Sequence, residues 1–323
     1  MPLPTIMKDR VRLPAIAAPL FILSNPKLVL AQVTSGMVGA FPALNARPPE
    51  LLDAWLDELA AGIAAHDAAH PDRPAAPYAV NQIVHRSNTR LDKDLVCCVR
   101  HRVPIVITSL GAVEEVNAAV HSYGGIVLHD VINDRFAHKA IEKGADGLIA
   151  VAAGAGGHAG ALSPFALVQE IRRWFHGPLF LSGAIATGRA ILAAEAMGAD
   201  GAYIGSPFIA TPEANASDAY RQAIVDGHAE DIVSSNYFTG VSGNYLRASI
   251  LAAGLDPDAL PQADKTKMDF GAAAGDKAKA WKDIWGAGQG IGAVDAIVPA
   301  AQRVERLIQE YTEARASLCS SRG

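Results

Sequence analysis

Cysteine is scarce in this 323-residue chain, which carries only Cys97, Cys98 and Cys319. Two adjacent thiols and one distant one make neither a disulfide framework nor a zinc spacing, so no metal site is expected and a reducing cytoplasm is the expected setting. No apolar run approaches the roughly 20 residues needed to cross a bilayer. The first ten residues lack the basic-then-apolar order of a signal peptide, so a membrane partner is not expected. Aromatics make up 6% and charged residues 19%, the latter below the roughly 25% of an average soluble protein. A net charge of −5 gives no reason to expect nucleic acid or an anionic membrane. The chain has no Gly-x-Ser-x-Gly elbow, which argues against a hydrolase built on that nucleophile.

Half of the residues are hydrophobic, ample for a large core. Short, near-continuous apolar runs recur as Ala15–Ala18, Val38–Phe41, Tyr78–Asn81, Ile105–Thr108, Ile126–His129, Leu148–Val151, Leu179–Ser182 and Ala202–Gly205. Runs of this kind suit parallel strands buried on both faces. Helical patterns separate them. Leu51, Leu52, Trp55, Leu56, Leu59 and Ile63 fall on one face. Asn133, Ser163 and Thr187 stand at N-cap positions, and Gly144 and Gly198 at helix stops. Gly144-Ala145-Asp146-Gly147 is echoed by Gly198-Ala199-Asp200-Gly201, 54 residues later.

Eight regular strand–helix units predict an α/β fold, a closed (β/α)8 TIM barrel. A doubly wound open sheet is the competitor. It would carry a Gly-x-Gly-x-x-Gly turn after its first strand, where this chain has Pro19-Leu20-Phe21. The regularity lapses between about Asp231 and Gly286. The expectation is therefore a barrel over residues 1–230 and 287–323, with residues 231–286 as an insertion capping the barrel mouth. A last helix is expected over Val294–Ala316.

In such a barrel the site lies at the C-terminal ends of the strands. His158 stands there, inside Gly154-Ala155-Gly156-Gly157-His158-Ala159-Gly160. The surrounding glycines would let a flat ligand approach the main chain, and the imidazole could exchange a proton near neutral pH. His158 is the catalytic candidate. Gly183, Ala184, Gly205 and Ser206 follow the seventh and eighth strands and are small enough for a phosphate to reach their backbone N–H groups. Asn81 can donate and accept hydrogen bonds to a planar heterocycle. His129 either touches a cofactor or is a core histidine bonded to a neighbour. Asp130 reads as a loop or capping residue. The other histidines show no metal-ligand grouping in sequence.

These pieces, taken with Pro14-Ala15-Ile16-Ala17-Ala18-Pro19-Leu20, Ser182-Gly183-Ala184-Ile185, Gly205-Ser206-Pro207-Phe208 and Ala287-Gly288-Gln289-Gly290, resemble the nitronate monooxygenases, formerly called 2-nitropropane dioxygenases. The resemblance spans most of the chain. It implies one non-covalent FMN. The phosphate would lie on Gly183, Ala184, Gly205 and Ser206, and the ring over Ala17, Ala18 and Pro19, with Asn81 at its polar edge. Gly156, Gly157, His129 and Ser182 would complete the binding set, and Gln289 would close over the cofactor. The implied activity is oxidation of a nitronate with dioxygen to a carbonyl compound and nitrite, with His158 as base or anion-orienting group and with a pKa near 7. The family motif often has glutamine at the Ala17 position and methionine at the Leu20 position. These departures keep a second reaction in view, NAD(P)H-dependent reduction of a quinone or an enoyl thioester on the same fold. A third reading is a non-enzymatic flavin-binding barrel. A small-molecule substrate is expected in either enzymatic case, and a homodimer is compatible with the sequence.

Overall fold

The computed structural model describes residues 3–263 and 283–320. Residues 264–282, within the expected insertion, lie outside the described residues. In chain order the strands are β1 (Ala15–Ala17), β2 (Gly39–Pro42), β3 (Tyr78–Ile83), β4 (Ile105–Ser109), β5 (Ile126–Val131), β6 (Gly147–Val151), β7 (Gly157–His158), β8 (Leu179–Ser182), β9 (Gly201–Ile204), β10 (Ile232–Ser235) and β11 (Gly243–Leu246). The helices are α1 (Pro26–Thr34), α2 (Leu51–Ala69), α3 (Leu91–Arg100), α4 (Glu114–His121), α5 (Asp134–Glu142), α6 (Pro164–Arg172), α7 (Gly188–Ala196), α8 (Ser206–Ile209), α9 (Asp218–Asp226), α10 (Arg247–Ala252) and α11 (Ala300–Ser320).

Eight strands pair in parallel in the order β1-β9-β8-β6-β5-β4-β3-β2. A parallel bridge between Ile16 and Val38 brings the two ends together, so the sheet is a nearly closed (β/α)8 barrel. Side chains alternate across each strand. Ile16, Val38, Ala79, Ile107, Leu128, Ile149, Phe180 and Tyr203 fill the interior. The opposite faces carry Ala17, Val80, Val106, Val127, Leu148 and Leu181 into the layer beneath the helices. Leu52, Leu56 and Leu59 of α2 are buried in that layer, with Trp55 packed beside them.

The echoed Gly-Ala-Asp-Gly turns do one job twice. Gly144 and Gly198 adopt φ of +91° and +107°, the left-handed C-terminal stop that glycine takes without strain. The aspartate that follows then clamps the neighbouring strand. Asp146 Oδ2 accepts the Val127 N–H at 2.7 Å, and Asp200 Oδ2 accepts the Leu179 N–H at 2.9 Å. Each aspartate N–H returns a bond to the carbonyl of that same residue. Asn133 and Thr187 cap α5 and α7 through their side chains, whereas Ser163 makes no side-chain cap bond and Pro164 alone marks the start of α6. The last helix starts six residues later than expected, at Ala300.

β10 and β11 form a hairpin that sequence periodicity did not reveal. β11 also pairs antiparallel with β7, with Gly243 opposite His158 and Asn244 opposite Gly157. The glycine–histidine loop is therefore the third strand of a small sheet built from residues after Asp231.

Candidate active site

One cavity of about 1330 Å³ opens at the C-terminal ends of the barrel strands. Ligand pockets usually measure roughly 300–1,000 Å³, so this one has room for more than one small ligand. Its wall gathers Ala18, Pro19, Asn81, His129, Gly156, Gly157, His158, Ser182, Gly183, Ala184, Gly205 and Ser206 from the ends of β1, β3, β5, β6, β8 and β9. Two expected residues are absent from it. Ala17 is fully buried on the helix-facing side of β1, so the wall begins at Ala18. Gln289 is exposed, and the glycines on either side of it reach the wall instead. Residues 237–241 and 284–286 also line the cavity.

His158 is partly buried, and its Nε2 lies 3.1 Å from Thr239 Oγ1. That hydroxyl donates to the Val241 carbonyl at 3.0 Å. Thr239 thereby ties the imidazole to the 237–241 segment. Burial lowers the His158 pKa to about 4, not near 7 as its sequence context suggested, so the ring is neutral across the physiological range. His129 is likewise lowered to about 4 by burial, with a smaller contribution from Lys139. It lines the cavity and bonds Thr108 Oγ1 at 2.6 Å.

The glycines let two loops meet. A Cβ on Gly156 would lie 2.8 Å from the Gly288 nitrogen and 2.9 Å from the Ala287 carbonyl carbon; a Cβ on Gly288 would lie 2.6 Å from the Gly154 oxygen. The two loops pack backbone against backbone. Gly154 O accepts from both Ala184 N–H (3.2 Å) and Gln289 N–H (2.9 Å), and Ser206 Oγ accepts from Gly288 N–H (2.9 Å). The Ala184 amide is thus engaged within the protein. Gly183 has φ +137°, and a Cβ there would lie 2.6 Å from Ala153 O, so only glycine fits.

Charge in the cavity is one-sided. Among the described residues that line it, Arg47, Arg90 and Lys139 are cationic and Asp130 is the one carboxyl, and Arg90 is ion-paired with Asp94 at 3.0 Å. Burial, and then the neighbouring Arg90, lower the Arg47 pKa. Sequence reading missed this bias because Arg47 and Arg90 come from separate loops. It also misjudged Asp130, whose carboxyl sits in the cavity wall and is pushed up to about 7 by burial against the opposing effect of its Ser109 bond.

Away from the barrel mouth, α2 and α3 bring Asp53, Cys97 and His101 within 4.8 Å of one another. Sequence spacing showed no such grouping. The Asp53 oxygen facing His101 is also bound by the Arg100 guanidinium, so this trio is an ion-paired surface cluster. No helix among the described residues is long and apolar enough to cross a membrane.

The fold and this largely apolar, glycine-walled cavity define a (β/α)8 barrel with its cavity at the C-terminal ends of the strands, where barrels of this class carry their active sites. Comparison with known proteins identifies the family. The nitronate monooxygenase family model matches residues 50–310, and the chain belongs to that family of oxidoreductases. It is similar to a nitronate monooxygenase of Paraburkholderia phytofirmans, 27% identical over 212 residues that cover 62% of this chain and 58% of the relative. The match thus spans little more than half of that curated relative. Among solved structures, the nitroalkane oxidase of Streptomyces ansochromogenes superposes with a TM-score of 0.79 at 23% identity, covering 97% of this chain and all of the other. FabK from Thermotoga maritima superposes with a TM-score of 0.76 at 22% identity, covering 99% and 100%. At those identities the structural likeness speaks for the fold.

Proposed function

We propose that the chain binds FMN in this cavity and oxidises nitronates with dioxygen, releasing a carbonyl compound and nitrite. The observation that carries the reading is the convergence, on one cavity, of a neutral histidine, a glycine-only turn at Gly183 and an excess of cationic side chains. The residues present fit FMN. Gly183, Gly205 and Ser206 would hold its phosphate where the fold commonly binds one, and Ala18, Pro19 and Asn81 would hold its ring. When bound, the flavin supplies the electron-transfer chemistry.

The chain's own contribution is positioning and proton control. Arg47 and Lys139 favour an anionic substrate such as a nitronate. His158, held by Thr239, orients that anion, or takes the proton from the carbon next to the nitro group of a neutral nitroalkane. A pKa near 4 makes it a weak base, which favours the nitronate over the neutral nitroalkane as substrate. Residues 231–263 and 283–286 act as the lid. Their hairpin is tied to the His158 strand, so lid position and histidine position are set together.

The test is nitrite release from a propyl nitronate under oxygen, measured against free FMN at the same concentration. No excess over that control would sink the proposal. The second reading, NAD(P)H-dependent reduction of a quinone or enoyl thioester, draws on the surplus cavity volume, which has room for a second ligand. Rapid anaerobic bleaching of the bound flavin by NADH or NADPH would favour it.

A further inference from the structure

A chain of hydrogen bonds crosses the ends of β3, β4 and β5. Asn81 Nδ2 donates to Ile107 O at 3.1 Å and to Ser109 Oγ at 2.7 Å. The Ser109 hydroxyl donates in turn to Asp130 Oδ2 at 2.5 Å. Both amide protons of Asn81 and the single hydroxyl proton of Ser109 are therefore committed. Asp130 Oδ1 is buried and has no hydrogen-bond partner among the described residues, although Asp130 lines the cavity. A buried polar oxygen left unpaired is costly, and no cation pairs with this carboxyl among the described residues.

The donor–acceptor pattern points to what completes it. Asn81 has only its carbonyl oxygen left to offer, an acceptor. The pyrimidine edge of an isoalloxazine ring presents one N–H donor flanked by two carbonyl acceptors. An acceptor from Asn81 matches the N–H, and a neighbouring carbonyl then requires a donor. A carboxylate would place a second acceptor there, whereas a carboxylic acid supplies the donor. We propose that Asp130 recognises the polar edge of the flavin, its Oδ1–H donating to a ring carbonyl while Ser109 and Asn81 fix its orientation. This rests on the FMN reading above. The Asp130 pKa of about 7 keeps the acid form populated at and below neutrality.

The other charged or titratable groups lining the cavity near this network are His129 on the same strand, Lys139 on α5, Tyr203 on β9 and His158 on β7, with Arg47, Arg90 and His85 farther along the wall. His129 and His158 stay neutral above about pH 4, and burial raises the Tyr203 phenol well above its ordinary value. His85 is the imidazole that needs its own control.

The test measures FMN dissociation constants on the full chain by quenching of flavin fluorescence at pH 6 and pH 8. Wild type is compared with Asp130→Asn, Asp130→Leu and His85→Gln. If the acid form binds, wild-type affinity falls roughly tenfold from pH 6 to pH 8. Asp130→Asn keeps a donor that cannot ionise, so it matches wild type at pH 6 and loses that tenfold change. Asp130→Leu binds at least tenfold more weakly at pH 6. His85→Gln retains the wild-type pH response. Ionisation of the FMN phosphate, with a second pKa near about 6, is common to all arms and cancels in the ratio of wild type to Asp130→Asn. The same pH response in Asp130→Asn as in wild type overturns the proposal, as does its disappearance in His85→Gln. If the leucine variant does not fold, the wild-type and asparagine pair decides. Failure of wild type to bind FMN at either pH overturns the cofactor reading itself, a distinct outcome.

Discussion

Alanine at position 156 should damage this protein out of proportion to its single methyl group. The added Cβ would sit 2.8 Å from the Gly288 nitrogen and 2.9 Å from the Ala287 carbonyl carbon. Both are main-chain atoms, so no side chain can rotate away. Ordinary contact begins near 3.4 Å, and the two loops must part by about 0.6 Å to reach it. Overpacking of this kind costs about 1–3 kcal/mol. The separation also stretches the bonds from Gln289 N–H to Gly154 O and from Gly288 N–H to Ser206 Oγ, at about 1 kcal/mol each if lost. The expected total is about 2–4 kcal/mol. At on the order of 2 °C per kcal/mol for a chain this large, thermal unfolding should fall by about 4–8 °C, and FMN affinity should fall at least tenfold because the displaced loops form the cavity wall. Gly157→Ala is the matched control. Its Cβ meets nothing within 4 Å, but its φ of +65° costs about 1–2 kcal/mol for any L side chain. It should lose stability while leaving the Gly156–Gly288 contact intact. If Gly156→Ala melts and binds flavin like wild type, or is no worse than Gly157→Ala on both measures, the backbone-packing argument is wrong.

Asn244→Ala removes the side-chain donor that reaches Ala155 O at 2.6 Å. Stranding that buried carbonyl should cost about 1–3 kcal/mol, read as a lower urea midpoint. His129 predicts a pH dependence of stability. Its folded pKa of about 4 lies below the unfolded value near about 6.5, so its contribution is fully present above about pH 6.5 and is lost as pH falls toward 4. The loss is at most about 3 kcal/mol, and His129→Gln should flatten that part of the urea-midpoint curve. Gly183→Ala combines a φ of +137° with a Cβ 2.6 Å from Ala153 O. It should cost about 2–6 kcal/mol and weaken FMN binding, measured by flavin retention on a desalting column.

The barrel was legible because its signals are local. Continuous apolar runs marked the strands to within a residue or two, and Gly144 and Gly198 stopped helices where only glycine fits the left-handed turn. The elements that were missed owe their existence to partners distant in sequence. Gly157–His158 has no strand propensity, and it is a strand because Gly243 and Asn244 lie alongside. The expected role of Ala17 failed by one step of strand alternation, which turns it toward the helices while Ala18 faces the cavity. Asp130 read as a loop residue because nothing in sequence shows that Ser109, 21 residues earlier, reaches its carboxyl. The low His158 pKa comes from burial in the folded chain, which no local pattern encodes.

The most direct test of the central claim is nitrite production from a propyl nitronate and dioxygen by FMN-loaded protein, with wild type run beside His158→Asn. The account predicts turnover well above free FMN in the wild type. For the variant it predicts a raised KM for the nitronate, whose anion His158 orients, and, with the neutral nitroalkane as substrate, a loss of roughly 10²–10⁴-fold because His158 takes that proton, with bound flavin retained in both cases. Nitrite no higher than the free-FMN control, or equal kcat and KM in the two proteins, would contradict it.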